Sequence, residues 1–157
     1  MGRWLVSRGR SRGYRAEREL VLMLWRLGFA VMRAPASGAR IKRADYPDVV
    51  AIKNGKVAVF EVKSRKSLGT IYLNKEQLRK LREFSERAGG RAYVAVRIPH
   101  KGWKFISLQE LKKTDSGNYR LDKEVIESAG GVSTVLRDLG LLKPLDSFTS
   151  DGKTRSK

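Results

Sequence analysis

The chain has 157 residues, with 34 Lys and Arg against 16 Asp and Glu, a formal net charge of +18. That length allows one compact domain with a real core, and an imbalance so large destabilises the compact state unless a polyanion relieves it. Hydrophobic residues at 41% exclude a disordered basic tail, and the absence of cysteine with a single histidine excludes disulfides, thiolate zinc sites and histidine clusters.

The longest apolar run, Leu20 to Trp25, has six residues, far short of the roughly 20 that a membrane span needs. No signal-peptide apolar region opens the chain, so a soluble protein of the cytoplasm is expected. Residues 1–75 carry a net +12 and residues 76–157 a net +6, so the N-terminal half is expected to face the anion. No helix sets a lysine-rich face against Trp or Phe, which favours nucleic acid over membrane as that anion.

Residues 1–12, rich in Gly, Ser and Arg, read as a flexible basic arm. A helix is expected from about Tyr14 to Leu27, stopped at Gly28, then a strand over Phe29 to Arg33. Ala34 to Pro47 reads as a long loop bearing Arg40, Lys42 and Arg43. Asp48 to Lys53 and Lys56 to Lys63 are β-branched runs on either side of Asn54-Gly55, the strongest short-range hairpin signal. Leu78, Leu81, Phe84 and Ala88 have helical spacing, with Asn74 as cap and Gly89-Gly90 as stop. Arg91 to Ile98 and Trp103 to Ser107 read as strands. Short helices are expected near Glu124 to Ser128 and Thr134 to Leu139, before a polar tail from Lys143. This order predicts an α/β fold with a central mixed sheet flanked by helices.

If Asn54-Gly55 form a two-residue loop, cross-strand partners have numbers summing to 109. Lys53 then faces Lys56, Ile52 faces Val57, Val50 faces Val59, and Asp48 faces Glu61. Two carboxylates opposite each other, about 4.5–5.5 Å apart at Cβ, destabilise the hairpin unless a cation compensates. A divalent metal would do so, and hard oxygen ligands suit Mg²⁺ better than zinc. The alternative is a solvated Asp48 with Glu61 paired to Lys63, two residues on. Glu17 shares a helix face with Leu20, Val21 and Leu24, so a third carboxylate continues a buried stripe unless it simply reaches water. Glu19 reads as a solvated partner of Arg15 and Arg26. Trp25 and Trp103 are expected in the core or at an interface.

Pro47-Asp48, twelve intervening residues and Glu61-Val62-Lys63 form the pattern of the PD-(D/E)xK nucleases. Gly13-Tyr14-Arg15-Ala16-Glu17-Arg18-Glu19-Leu20, Gly28 to Arg33 and Ala34-Pro35-Ala36-Ser37-Gly38 closely resemble the archaeal Holliday junction resolvases. So do Ala51 to Gly55, Glu61 to Lys66, Ile71-Tyr72 and Glu83-Phe84. The resemblance runs from Gly13 to Asn118 in collinear order.

It implies a restriction-endonuclease-like core and a homodimeric, Mg²⁺-dependent endonuclease that cuts four-way junction DNA. Catalytic roles fall on Glu17, Asp48, Glu61, Lys63 and Ser37, with Glu17, Asp48 and Glu61 toward the metal. Arg18 and Arg33 take positions around the scissile phosphate and the junction backbone. Arg12, Arg40, Lys42, Arg43, Arg65 and Lys66 are expected to contact DNA through phosphates. The expected organisation is an arm over 1–12, the nuclease domain over 13–113, an extension with short helices over 114–142 and a tail over 143–157. Leu145-Asp146-Ser147-Phe148 resembles a terminal motif of close relatives that would contact a sliding clamp; an ordinary tail is the alternative. Two rivals stay open on sequence alone: a nuclease for flaps, mismatches or a specific duplex, and a non-catalytic architectural DNA-binding protein.

Overall fold

The structure, a computed structural model, describes residues 8–34 and 46–142. Ser37, Arg40, Lys42, Arg43 and the Leu145 to Phe148 motif lie outside the described residues. A five-stranded sheet runs in the order β1 (Ala30–Arg33), β2 (Val49–Lys53), β3 (Lys56–Ser64), β5 (Arg91–Ile98) and β6 (Gly102–Ser107). Neighbours are antiparallel except β3 and β5, which are parallel. The sheet is therefore mixed, as expected, because the segment between β3 and β5 holds a crossover helix, α2 (Lys75–Arg87).

Alternation along β3 divides the core in two. Ala58, Phe60 and Val62 point to the face covered by α1 (Arg8–Arg26) and α4 (Val132–Asp138), where they meet Leu20, Leu24 and Val135. Val59 points to the opposite face with Val94, Val96 and Ile106, beneath Leu78 and Leu81 of α2. This second face also carries a three-stranded sheet, β4 (Ile71–Leu73), β8 (Tyr119–Leu121) and β7 (Lys112–Lys113), in the order β4-β8-β7, and α3 (Lys123–Ser128). No helix among the described residues is long and apolar enough to cross a membrane.

The hairpin follows the expected register: Lys53 pairs with Lys56, Ile52 with Val57 and Val50 with Val59. Asn54 and Gly55 both have positive φ, 50° and 72°, the conformation a two-residue turn of the right twist demands. The second helix is capped as expected, Glu76 N–H donating to Asn74 Oδ1 at 2.7 Å.

The first helix begins at Arg8, so residues 8–12 are helical rather than part of an arm. Arg is a good helix former, and extending a helix already anchored by its docked turns needs no new nucleus. Residues 114–142 hold the two short helices expected there, α3 and α4, and their Leu121, Ile126, Val135 and Leu139 are buried and complete both cores. Of the two tryptophans expected in the core or at an interface, Trp103 packs against the first core and Trp25, 63% exposed, lies outside both cores.

Candidate active site

Asp48 sits one residue before β2, at the end of the hairpin. Its N–H donates to the Phe60 carbonyl at 3.0 Å, and its own carbonyl accepts from Ala34 N–H at 3.0 Å. Its carboxylate Oδ2 accepts from Val62 N–H at 2.7 Å. Backbone and side chain are thus fixed by three bonds to β3 and the end of β1, next to the buried Pro47.

Glu61 and Lys63 occupy alternate positions of β3 and share the Val59 face, so their side chains meet: Lys63 Nζ donates to Glu61 Oε1 at 2.7 Å. Gln77, in the first turn of α2, reaches the same oxygen at 3.4 Å. Glu17 arrives from α1 and is held by Arg33, the last residue of β1, whose Nη1 lies 3.0 Å from Glu17 Oε2.

These elements converge closely enough to act on one another electrostatically. Burial pushes the Asp48 carboxyl up to about 7, and the negative charges of Glu61 and Glu17 add to the rise; the Val62 N–H and Lys63 oppose it. A carboxylate crowded by two others, with a lysine alongside, is a site that gains from a bound cation. Among the described residues no three carboxylate or histidine side chains close on one point as a ready metal cage. The donor set is instead two hard-oxygen groups, Asp48 and Glu61, with Lys63 and Arg33 holding carboxylates that a cation would otherwise engage. Few protein ligands with water completing the shell is the arrangement Mg²⁺ prefers.

Beyond Lys63, the end of β3 and the start of α1 border a cleft of about 270 Å³. Arg12, Arg15, Arg65, Lys66 and Arg97 line it against a single acid, Glu19. Glu19 does not pair with arginines of its own helix. Its Oε1 accepts from Arg97 Nε at 2.6 Å and from Trp103 Nε1 at 3.1 Å. The reason is positional: α1 lies across the sheet, so this side chain meets β5 and β6, and Arg97 and Trp103 are cross-strand partners there.

The site therefore brings together Glu17, Asp48, Glu61, Lys63 and Arg33, and sets Arg12, Arg65 and Lys66 along the adjoining cleft. Arg18 is exposed on α1, with its guanidinium 5.9 Å from the Tyr14 ring centroid. Two contacts were missed in the sequence. Gln77 carries no signal in a first helical turn, whereas Tyr14, whose ring lies 4.2 Å from the Arg33 guanidinium, stands at the i−3 position from Glu17 on the same helix.

This architecture and site have counterparts. A family profile described as archaeal Holliday junction resolvase (Hjc) matches residues 8–141. The chain belongs to the archaeal Holliday junction resolvase family. It is 41% identical over 146 residues to the crossover junction endodeoxyribonuclease Hjc of Sulfurisphaera tokodaii, covering 91% of this chain and 99% of that one. The corresponding protein of Sulfolobus acidocaldarius is 40% identical over 141 residues, covering 88% and 97%. The 1.6 Å structure of Hjc from Archaeoglobus fulgidus superposes with a TM-score of 0.71 at 34% identity, covering 80% of the resolvase and 98% of that chain. The resolvase is accordingly an endodeoxyribonuclease of Holliday junction DNA on a restriction-endonuclease-like α/β fold, and its family is metal-dependent.

Proposed function

We propose that the resolvase hydrolyses one phosphodiester on each of two opposing junction strands, with Mg²⁺, each cut made by one subunit of a homodimer in the cytoplasm. The observation that carries this reading is the convergence at Asp48, a carboxylate held by three bonds and crowded by Glu61 and Glu17 beside Lys63.

Asp48 and Glu61 would hold the ion, which when bound supplies Lewis acidity at the phosphoryl group. Lys63, released from Glu61, orients the attacking water and offsets negative charge as it builds on phosphorus. Glu17 accepts a hydrogen bond from that water and directs it. Arg33 and Arg18 donate to non-bridging oxygens, with Ser37 as a further donor. The water oxygen bonds to phosphorus, the P–O3′ bond breaks, and a proton passes to the leaving 3′-oxygen. Arg40, Lys42 and Arg43 contact the backbone beside the cut, and the cleft of Arg12, Arg65 and Lys66 follows the strand past Lys63.

The apolar side chains left uncovered on α1, Leu22 at 52% and Trp25 at 63% exposure, support a surface that a second copy buries. Two-fold symmetry then matches two identical sites to two strands of a four-way junction. A clamp contact through Leu145 to Phe148 is proposed as the tail's role.

The test is a cleavage panel. Four-way junction, duplex and flap DNA are incubated with Mg²⁺ and with EDTA, and the junction alone is expected to be cut, in Mg²⁺ alone. Subunits carrying Glu61→Ala, mixed with wild-type subunits, are expected to give heterodimers that nick one strand and stop. Efficient cutting of both strands by a verified monomer would exclude the dimer mechanism.

The cleft is tested by salt. Log K for the junction falls with log salt by about 0.9 for each phosphate neutralised. Replacing Arg12, Arg65 and Lys66 together with Ala is expected to lower that slope by about 0.9 per lost contact. An unchanged slope would show that the cleft stays clear of DNA.

A further inference from the structure

Arg33 is gripped from two directions. In the plane of its guanidinium, Nη1 donates to Glu17 Oε2 at 3.0 Å. From the side of α1, the Arg33 guanidinium carbon stands over the Tyr14 ring, 4.2 Å from its centroid, well within the reach of a cation–π contact. Arg18 approaches the same ring at 5.9 Å. Tyr14 itself is 46% exposed and belongs to neither apolar core, so filling the interior does not account for its position.

The two grips differ in what they consume. A guanidinium has five N–H donors, all in its plane, and the pair with Glu17 engages a donor in that plane. The cation–π contact is an attraction between the delocalised charge and the ring's face, and needs no dedicated donor. On the site reading above, on which this inference rests, Glu17 turns to the attacking water and the in-plane donors of Arg33 turn to phosphate. At that exchange the ion pair is lost, and a long, flexible side chain at the end of β1 would be free to leave. The ring contact can persist, because it is made by a different residue and does not involve the Glu17 carboxylate that is exchanged.

We propose that Tyr14 is a positioning residue: its ring holds the Arg33 guanidinium over the site while Arg33 passes from Glu17 to the scissile phosphate. The hydroxyl has no part in this, so the aromatic face alone is required. Arg33 keeps its charge whether or not the ring is present. Loss of the ring therefore affects the placement of the donors in the transition state more than attraction to DNA.

The experiment compares wild type with Tyr14→Leu, Tyr14→Gln, Tyr14→Phe and Arg33→Ala, by single-turnover cleavage of a four-way junction in Mg²⁺ and by junction Kd in EDTA. Tyr14→Leu and Tyr14→Gln are expected to cut roughly 3- to 10-fold more slowly, the span of one lost cation–π contact, with Kd held within about two-fold. Tyr14→Phe is expected to match wild type. In the free protein, ring current from Tyr14 is expected to shift the Arg33 Nε–H resonance upfield, and that shift to vanish in Tyr14→Leu and Tyr14→Gln and to persist in Tyr14→Phe. Wild-type rates in both ring-less variants, with Arg33→Ala inactive, would overturn the proposal. A matched rise in Kd would overturn it too, by making Tyr14 a plain DNA contact. If the ring-less variants are too unstable to assay, a Tyr14→Phe protein whose Arg33 resonance lacks the ring shift would also overturn it. Wild-type cutting by Arg33→Ala would instead overturn the reading of the site.

Discussion

Asp48→Ala and Glu61→Ala are each expected to lower the single-turnover cleavage rate by on the order of 10³-fold or more, with junction binding kept or strengthened. The magnitude follows from the contribution expected of a metal site: several kcal/mol of transition-state stabilisation, at about 1.4 kcal/mol per factor of ten. Binding behaves differently because the cations that neutralise phosphates are all retained in these variants. Removing a negative charge beside a phosphate relieves repulsion, while the cations of the cleft are unchanged. The check is a pair of measurements on each variant, the rate in Mg²⁺ and Kd in EDTA. Near wild-type cutting by either variant would show that the ion is held elsewhere.

The second large effect is on stability. Burial, with Glu61 and Glu17 nearby, raises the Asp48 carboxyl from 3.8 to about 7 in the folded protein. The folded state therefore binds a proton that the unfolded state has released. The linked stabilisation is complete below pH 4 and is lost as pH rises toward 7. Between those limits the metal-free protein is expected to lose roughly 3–4 kcal/mol from this group, a fall in Tm of roughly 6–16 °C for a domain of this size. Acid-induced changes elsewhere are removed by comparison with Asp48→Asn, which lacks the titration. At pH 8 in EDTA, Asp48→Asn is expected to melt above wild type, and saturating Mg²⁺ is expected to raise wild type and leave Asp48→Asn nearly unmoved. Equal melting of the two proteins at pH 8 would show that the native site tolerates the Asp48 charge.

The hairpin that carries Asp48 and Glu61 is legible in the sequence. Asn54-Gly55 admits one tight turn, and the turn fixes the register as far as Val49 opposite Phe60. Asp48 lies one residue beyond that ladder, its N–H bonded to the Phe60 carbonyl and its carboxylate to Val62 N–H. It so reaches the site without the direct pairing with Glu61 that the register alone would give. Glu17 was legible through helical spacing, since a carboxylate in line with Leu20 and Leu24 must reach the sheet. What stayed hidden depends on partners distant in the chain. Strands β4, β7 and β8 have two or three residues each, and Ile71 finds its partner at Leu121. No local periodicity can mark so short a strand. The partners of Glu19 are hidden for the same reason: helical neighbours are visible in sequence, whereas Arg97 and Trp103 come from β5 and β6, 78 and 84 residues on. The start of α1 was hidden by composition, because Gly and Ser among arginines resemble a linker until the following turns dock.

The bond from Val62 N–H to Asp48 Oδ2 gives the nuclease an internal gauge. Elsewhere in β2 and β3 an amide is protected by a neighbouring carbonyl, whose charge never changes. Here the acceptor is an ionisable oxygen at the centre of the site. The chemical shift and hydrogen-exchange rate of one backbone amide therefore follow whether Asp48 is protonated, charged or engaged by a cation. At a fixed pH, occupancy of the centre can be read from Val62 without any DNA being cut, and in variants whose turnover is too slow to measure.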